Sequence, residues 1–297
     1  MELRQLEYFI RVAELGSFSR AAILLDVAQP ALSRQVRLLE LELKQHLLLR
    51  NGRGVTPTES GKLLLEHGRG ILHQIARARE ELGRVQGSAA GEVILGLPPS
   101  LLNTVAVPLV TAFRQCLPHA TLSIAEGLSR TMMESLLSGR IDVALLYNTP
   151  ASSDVEVIEL LEEELFLITP KQPAPPLTSS LTEVATLPLL IPQRPNSIRM
   201  YLENELAKLG LRPHIAMEID GISAILDLVA NGAGCAVLTR NALRCCGHPD
   251  RFTLVSITGP SLRIRLTMAV TNRHPLTLTQ ERVMTLLRTN IPVWLTN

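Results

Sequence analysis

Gln29, Ser33, Arg34 and Arg37 are spaced so that on a helix their side chains share one polar arc. Glutamine and arginine at the N-terminal end of a helix are side chains that reach base edges in the major groove, and a serine there suits a phosphate or a base. The other arc, Leu32, Val36, Leu39 and Leu43 at i, i+4, i+7 and i+11, is apolar and suited to packing. Farther on, Arg50, Asn51, Gly52, Arg53 and Gly54 form a turn of φ-permissive residues with two fixed positive charges, the composition of a wing that grips phosphates. The chemistry on offer is non-covalent recognition of a polyanionic duplex. The competing reading is an ordinary amphipathic helix pair whose arginines face water.

Two short helices and a tight turn must position that arc. Ser17 can cap the first by accepting a backbone N–H bond, after which Phe18, Ala21, Ala22 and Leu25 recur at helical spacing. Asp26 and Val27 break the pattern. Gln29, Pro30 and Ala31 restart it, because a proline in the first turn forfeits no intrahelical bond and its φ is already helical. Ser17 and Pro30 join Gln29, Ser33, Arg34, Arg37, Arg50 and Arg53 as the candidate DNA-contacting set.

The run AQPALSRQVRLLELEL, followed by LLLRNGRGVTPTESG, resembles the winged helix-turn-helix of the LysR-type transcriptional regulators. Lys44 stands where most members carry glycine and Leu48 where they usually carry phenylalanine; neither lies on the reading face. Within that family the ELxQxLLxRxxRGVTPT wording is most similar to the nitrogen assimilation control branch. The resemblance spans the chain, most strongly over its first ~90 residues and by layout afterwards. It implies an α/β fold class: an N-terminal winged helix-turn-helix, a long linker helix and a C-terminal two-lobed, Rossmann-like effector domain of the periplasmic-binding-protein type. The partners it implies are double-stranded promoter DNA, further copies of the chain in a homodimer or homotetramer, a small-molecule effector and RNA polymerase.

Length and charge agree with such a two-part regulator. A chain of 297 residues suggests two or three domains, and a 46% hydrophobic content supports sizeable cores. Residues 1–90 hold 13 Lys or Arg against 10 Asp or Glu, and the remainder 16 against 18. The front is therefore +3 and the back −2, an asymmetry too small to bind DNA without well-placed arginines. Met1 leads directly into the amphipathic pattern Leu3, Leu6, Ile10, Ala13 rather than a signal peptide, and no apolar run is long enough for a bilayer, so the expected location is cytoplasmic with no membrane partner. Cys116, Cys235, Cys245 and Cys246 lack the paired spacing of a zinc site. Buried reduced thiols compete there with a redox switch between Cys235 and the vicinal pair, and no cofactor is expected.

Thr58 is a candidate N-cap for a long helix reaching about Gln86. Gly61, Leu64, Gly68, Ile71, Ile75, Ala78, Leu82 and Val85 alternate at spacings of three and four along it, a coiled-coil seam through which two copies would zip. Leu64, Ile71, Ile75, Ala78, Leu82 and Val85 are the candidate dimerisation residues. At ~1.5 Å per residue the helix would run about 43 Å, enough to hold two DNA-binding heads apart. The alternative is a helix packed on its own domain. Gly87, Ser88, Ala89, Ala90 and Gly91 then read as a hinge. The expected divisions are a DNA-binding domain at 1–58, a linker helix and hinge at 59–91, and an effector domain at 92–297.

Helical and strand patterns alternate beyond the hinge. Strands are expected at 93–97, 121–125, 141–146, 165–169, 189–191, 214–219, 235–238, 252–257 and 262–270, with helices near 101–116, 129–137 and 277–289 and a Pro-rich surface loop at 171–180. By the family layout one lobe takes 92–161 plus 267–297 and the other 162–266, with a ligand cleft between. Ser100 and Ser197 would open helices aimed at the cleft, and their N-terminal N–H groups favour an anionic effector. The cleft candidates are Ser100, Leu101, Tyr147, Gln193, Arg194, Asn196 and Ser197, with Arg194 able to pair a carboxylate through its planar fork. A helix cap or a surface polar side chain is the competing reading for each. Gly232 and Gly234 before CAVL resemble the family's glycine turn into a cleft-side strand, although Thr239 replaces its usual proline. Glu162 to Glu164 read as a solvated edge between lobes.

An enzyme finds little support. His67 and His73 sit six apart and point to different helix faces, and no GxSxG, HExxH or phosphate-cradling loop appears. The serious competitor is a solute-binding protein with no DNA role, because the C-terminal two-thirds resembles that fold alone.

Overall fold

Ser17 accepts the Arg20 N–H at 3.3 Å and starts the second of four helices in the N-terminal unit. The computed structural model describes residues 1–51, 54–83, 91–150, 152–174 and 176–296. The chain divides into two units, Met1–Val85 with Ser138–Arg140, and Gln86–Leu137 with Ile141–Asn297.

The first unit runs α1 (Leu3–Leu15), α2 (Phe18–Leu24), α3 (Gln29–Leu43), β1 (Leu48–Asn51), β2 (Gly54–Pro57) and α4 (Glu59–Gly83). Leu6, Phe9, Val12, Ala21, Leu32 and Leu39 close a small core. The expected apolar arc of α3 is buried at Leu32, Val36 and Leu39, whereas Leu43 at the last turn is 36% exposed. Lys44 ends α3 at φ +52°, the left-handed conformation a C-terminal glycine adopts without strain, which explains the residue type the family prefers there. The wing strands pair antiparallel from Leu48↔Pro57 to Asn51↔Gly54.

Thr58 caps α4, its Oγ1 accepting the Gly61 N–H at 3.0 Å. A Cβ on Gly61 would run into the Leu47 carbonyl oxygen, and one on Gly68 would lie 2.9 Å from side-chain carbons of Leu6 and Ile10. Both glycines therefore let α4 dock on its own unit, and Leu64 packs half-buried on the same core. That first stretch of the expected dimer seam is engaged within the chain. Farther along, Ile71, Ala78 and Leu82 are exposed and Ile75 half-exposed. Val85 and the expected hinge residues Gly87 to Ala90 lie outside the described residues.

The second unit contains β3 (Glu92–Leu97), α5 (Pro99–Cys116), β4 (Thr121–Glu126), α6 (Ser129–Leu137), β5 (Val143–Tyr147), β6 (Val155–Pro170), β7 (Thr178–Ser180), α7 (Leu181–Thr186), β8 (Leu189–Ile191), α8 (Ser197–Lys208), β9 (Ile215–Glu218), α9 (Ile222–Ala230), β10 (Ala236–Thr239), β11 (Phe252–Thr258), β12 (Arg263–Thr271) and α10 (Leu278–Thr296). Its main sheet runs β4-β3-β5-β12-β6-β11-β7 with β10 also on β6, and β8 and β9 form a parallel pair. β3 is parallel to β4 and β5, while β12 is antiparallel to β5 and β6, so the sheet is mixed. Leu95, Leu97, Leu145, Leu167, Leu238 and Leu266 belong to one continuous core.

β6 departs most from expectation. A strand is expected only over 165–169, yet β6 begins at Val155, and its first part pairs with β12 before its second part pairs with β11 and β10. VEVIELLEEE exposes Glu156, Glu159 and Glu162 among mostly half-buried residues, a pattern of a half-solvated antiparallel strand rather than the continuous apolar run of a buried parallel one. Glu162 to Glu164 are thus strand residues, and Glu163 is buried. The final helix continues through Pro292 to Thr296, beyond its expected end.

Candidate nucleic-acid interface and effector cleft

Gln29, Pro30, Arg34 and Arg37 stand exposed along α3, and Ser33 is half-buried. Ala28 precedes the helix with no side-chain cap, which leaves N–H groups of the first turn to an outside acceptor. Arg50 on β1 donates from Nη2 to Ser33 Oγ at 2.9 Å, and its guanidinium lies 4.5 Å from the centre of the Phe18 ring. The wing is thereby clipped to both helices of the motif. Ser17 spends its hydroxyl on the α2 cap, and Arg53 lies outside the described residues.

A groove of about 610 Å³ separates α3 from the wing, with Arg37, Lys44, His46 and Arg50 along it. Glu40 lines it too, and sequence reasoning missed that residue. One carboxylate oxygen of Glu40 accepts the N–H groups of Leu47, at 2.8 Å, and Leu48, at 3.2 Å, tying the root of β1 to the recognition helix. The available signal was an acid beside the buried Leu39, itself half-buried, in a helix whose arginines precede it.

In the second unit a cavity of about 40 Å³ lies where α5, α6, α8 and α9 begin and where β5 and β10 end. Ser100, Tyr147, Asn196 and Ser197 line it as expected. Leu101, Gln193 and Arg194 do not. Leu101 is fully buried in the core, because Pro99 rather than Ser100 opens α5 and turns the next leucine inward. Gln193 offers its backbone N–H to Asp220 Oδ1 at 2.9 Å while its side chain is exposed. Arg194 pairs with Glu203 at 2.8 Å and is 63% exposed.

Arg199 follows the lining Ile198 in α8 but does not itself reach the cavity. It is buried, donating to Pro192 O at 2.9 Å, Glu203 Oε1 at 2.9 Å and Glu218 Oε1 at 3.0 Å. The bond to Glu218 raises the Arg199 pKa, and the same bond holds the Glu218 carboxyl below its ordinary range. Asn196 is a helix cap, its Oδ1 accepting from Ile198 N and Arg199 N. Sequence reasoning missed Ser129, whose Oγ accepts the Tyr147 N–H at 3.1 Å, and Asp220 on the rim. None of the residues lining the cavity is Lys, Arg or His, so no side-chain cation meets an anionic effector there.

Residues 3–62 match the pattern of bacterial regulatory helix-turn-helix proteins of the lysR family, and residues 86–292 that of the LysR substrate binding domain. The chain belongs to the LysR family of transcription regulators. It is 33% identical over 289 residues, 97% of this chain and 94% of the other, to the nitrogen assimilation regulatory protein nac of Klebsiella aerogenes, and equally to that of Escherichia coli strain K12. The crystal structure of CbnR, a LysR family transcriptional regulator, aligns at a TM-score of 0.72 and 25% identity over 97% of this chain and 99% of that one. Full-length CbnR complexed with its target DNA aligns at a TM-score of 0.70. These likenesses agree with the nitrogen assimilation branch expected from the wing wording and place the chain among DNA-binding regulators rather than enzymes or solute-binding proteins without a DNA role. No helix among the described residues is long and apolar enough to cross a membrane.

Proposed function

We propose that this LysR-type regulator reads promoter DNA in the cytoplasm through Gln29, Arg34 and Arg37 on α3 while Arg50 and Arg53 of the wing hold phosphates. The observation that carries this reading is the exposed Gln–Arg face of α3 beside a groove lined by two further cations, Lys44 and Arg50. The uncapped start of α3 adds backbone N–H groups for a phosphate. Ile71, Ile75, Ala78 and Leu82, with Val85 beyond them, form the seam by which two copies join through α4, and two dimers make a tetramer. Leu64, engaged on its own core, is left out of that seam. RNA polymerase is the further partner of such a regulator at a promoter.

The effector domain divides into lobes within β6 and β12, near Leu161 and Leu266, where the β12 register shifts. A small effector in the cavity between them changes lobe closure and thereby the spacing of the DNA-binding heads. With no basic side chain in the lining, an anionic group would be held by the backbone N–H groups at the starts of α5 and α8.

The experiment is a salt series of binding by fluorescence anisotropy, with the full chain, the region upstream of its own gene and a scrambled duplex. Tighter binding to the upstream region, with affinity falling linearly in log–log form, supports sequence reading built on phosphate contacts. Equal affinity for both duplexes at every ionic strength would count against autoregulation, and no binding to any duplex would refute the reading.

A further inference from the structure

Glu163 is only 7% exposed, yet no ion pair reaches its carboxylate among the described residues. Its two oxygens are taken instead by neutral donors from two separate segments, one ending at a residue that lines the cavity and one following a strand that does. Tyr147 Oη donates to Oε2 at 2.6 Å, and Asn241 Nδ2 donates to Oε1 at 2.6 Å. Tyr147 ends β5 and lines the cavity, with its own N–H held by Ser129. Asn241 lies in the 3-10 turn Arg240–Cys245 directly after β10, whose Leu238 lines the cavity from the other side. The same Asn241 amide reaches Leu295 O at 3.2 Å near the end of α10.

The backbone position of Glu163 is equally specific. Glu164 is the last β6 residue paired with β12, and Leu165 is the first paired with β10. The carboxylate therefore sits where one strand leaves the first wall of the cavity and enters the second. Withdrawing either donor leaves a buried acceptor unsatisfied, which costs more than parting two apolar side chains.

We infer that Glu163 is a positioning residue that couples the two walls of the cleft, holding Tyr147 on one side and the Leu238–Asn241 segment on the other as a unit. The inference rests on the proposed reading of this cavity as the effector cleft. A displacement of the Tyr147 ring is passed to Asn241 through the carboxylate, and from Asn241 to the end of α10. Lobe movement then pivots about this point, because parting the walls here would strip the carboxylate of a donor.

Amide hydrogen exchange of the full chain, read by mass spectrometry, tests this with three variants. Tyr147→Phe removes one oxygen from the first wall, and exchange should quicken about tenfold at 238–244 on the second wall as well as at 146–148. Glu163→Gln should stay within about twofold of the unaltered chain at both places, since the amide can accept from Asn241 and donate to the tyrosine oxygen. Glu163→Leu should loosen both; if it does not fold, the first two variants decide. Quickening confined to the neighbourhood of residue 147, or equal quickening in Glu163→Gln, would overturn the coupling. DNA bending by the same variants is read separately: coupled exchange with unchanged bending upholds the positioning role and tells against lobe closure as the signal to DNA.

Discussion

Replacing Glu40 with alanine isolates what anchors the wing from what binds phosphate. The carboxylate accepts two backbone N–H groups, from Leu47 and Leu48, both in the core of the N-terminal unit. A hydrogen bond to a charged group contributes about 1.5–3 kcal/mol when its partner is left unsatisfied, but the groove beside Glu40 is open and water can reach part of the gap. A loss of about 2 kcal/mol follows, which for a unit of this size lowers its melting temperature by roughly 10 °C. Calorimetry of the full chain should show that transition move while the transition of the larger unit stays. DNA binding should lose discrimination between specific and random duplexes, because the wing no longer meets α3 at a fixed angle. The salt slope should hold, since Glu40 neutralises no phosphate, whereas each lost phosphate contact flattens it by about 0.9. A flattened slope combined with an unmoved melting transition would refute this account of Glu40.

Other perturbations separate the remaining roles. Gln29→Ala should relax preference at particular base pairs, while Arg53→Ala should weaken binding to every duplex and flatten the salt slope by about 0.9; equal effects of both on specific and random DNA would contradict the division between reading face and wing. Gly61→Ala places a methyl against the Leu47 carbonyl oxygen and should cost the first unit about 3 kcal/mol or more by urea denaturation. Leu82→Asp, at a side chain 79% exposed, should leave both melting transitions of the separate units in place but shift the sedimenting species towards monomer. In acid, Glu218, held low by Arg199, and Glu183, held low by the Ser180 backbone and hydroxyl, each favour the folded chain while ionised. Their contribution is complete above the ordinary carboxyl value of 4.5 and is lost as pH falls through their lowered folded values, so urea midpoints should be flat near neutrality and fall only below about 4.5. Arg199 stays charged throughout that range and adds no slope.

The DNA-binding unit was legible because its rules are local. Ser17 and Thr58 mark helix starts through bonds made within one turn and Pro30 through its fixed φ, while Leu32, Val36 and Leu39 mark the buried face by period alone. The same rules mislead at α4. Gly61, Gly68 and Leu64 carry the spacing of a coiled-coil seam, but spacing does not say which surface fills it, and α1 with the β1 root lies close enough to take that stretch. Only the part of α4 beyond this docking site leaves Ile71, Ala78 and Leu82 for another helix.

The cleft was legible where backbone sets the geometry and opaque where side chains from distant segments converge. Ser100 and Ser197 could be placed because strands lead into helices beside the cavity. Arg194 could not: a charged fork next to a helix start suits an effector, yet Glu203 from within α8 takes it first. Glu163 shows the reverse error. Three glutamates in a row read as solvated because acids are rarely buried without a cation, and nothing in EEE reveals that a tyrosine sixteen residues earlier and an asparagine seventy-eight residues later supply the missing solvation. The alternation of β6 does carry a trace of it: with Glu162 exposed and Leu165 in the core, a strand period of two turns Glu163 inward. An acid at an inward strand position beside a predicted cleft therefore calls for a donor from each wall, and here the walls provide one apiece.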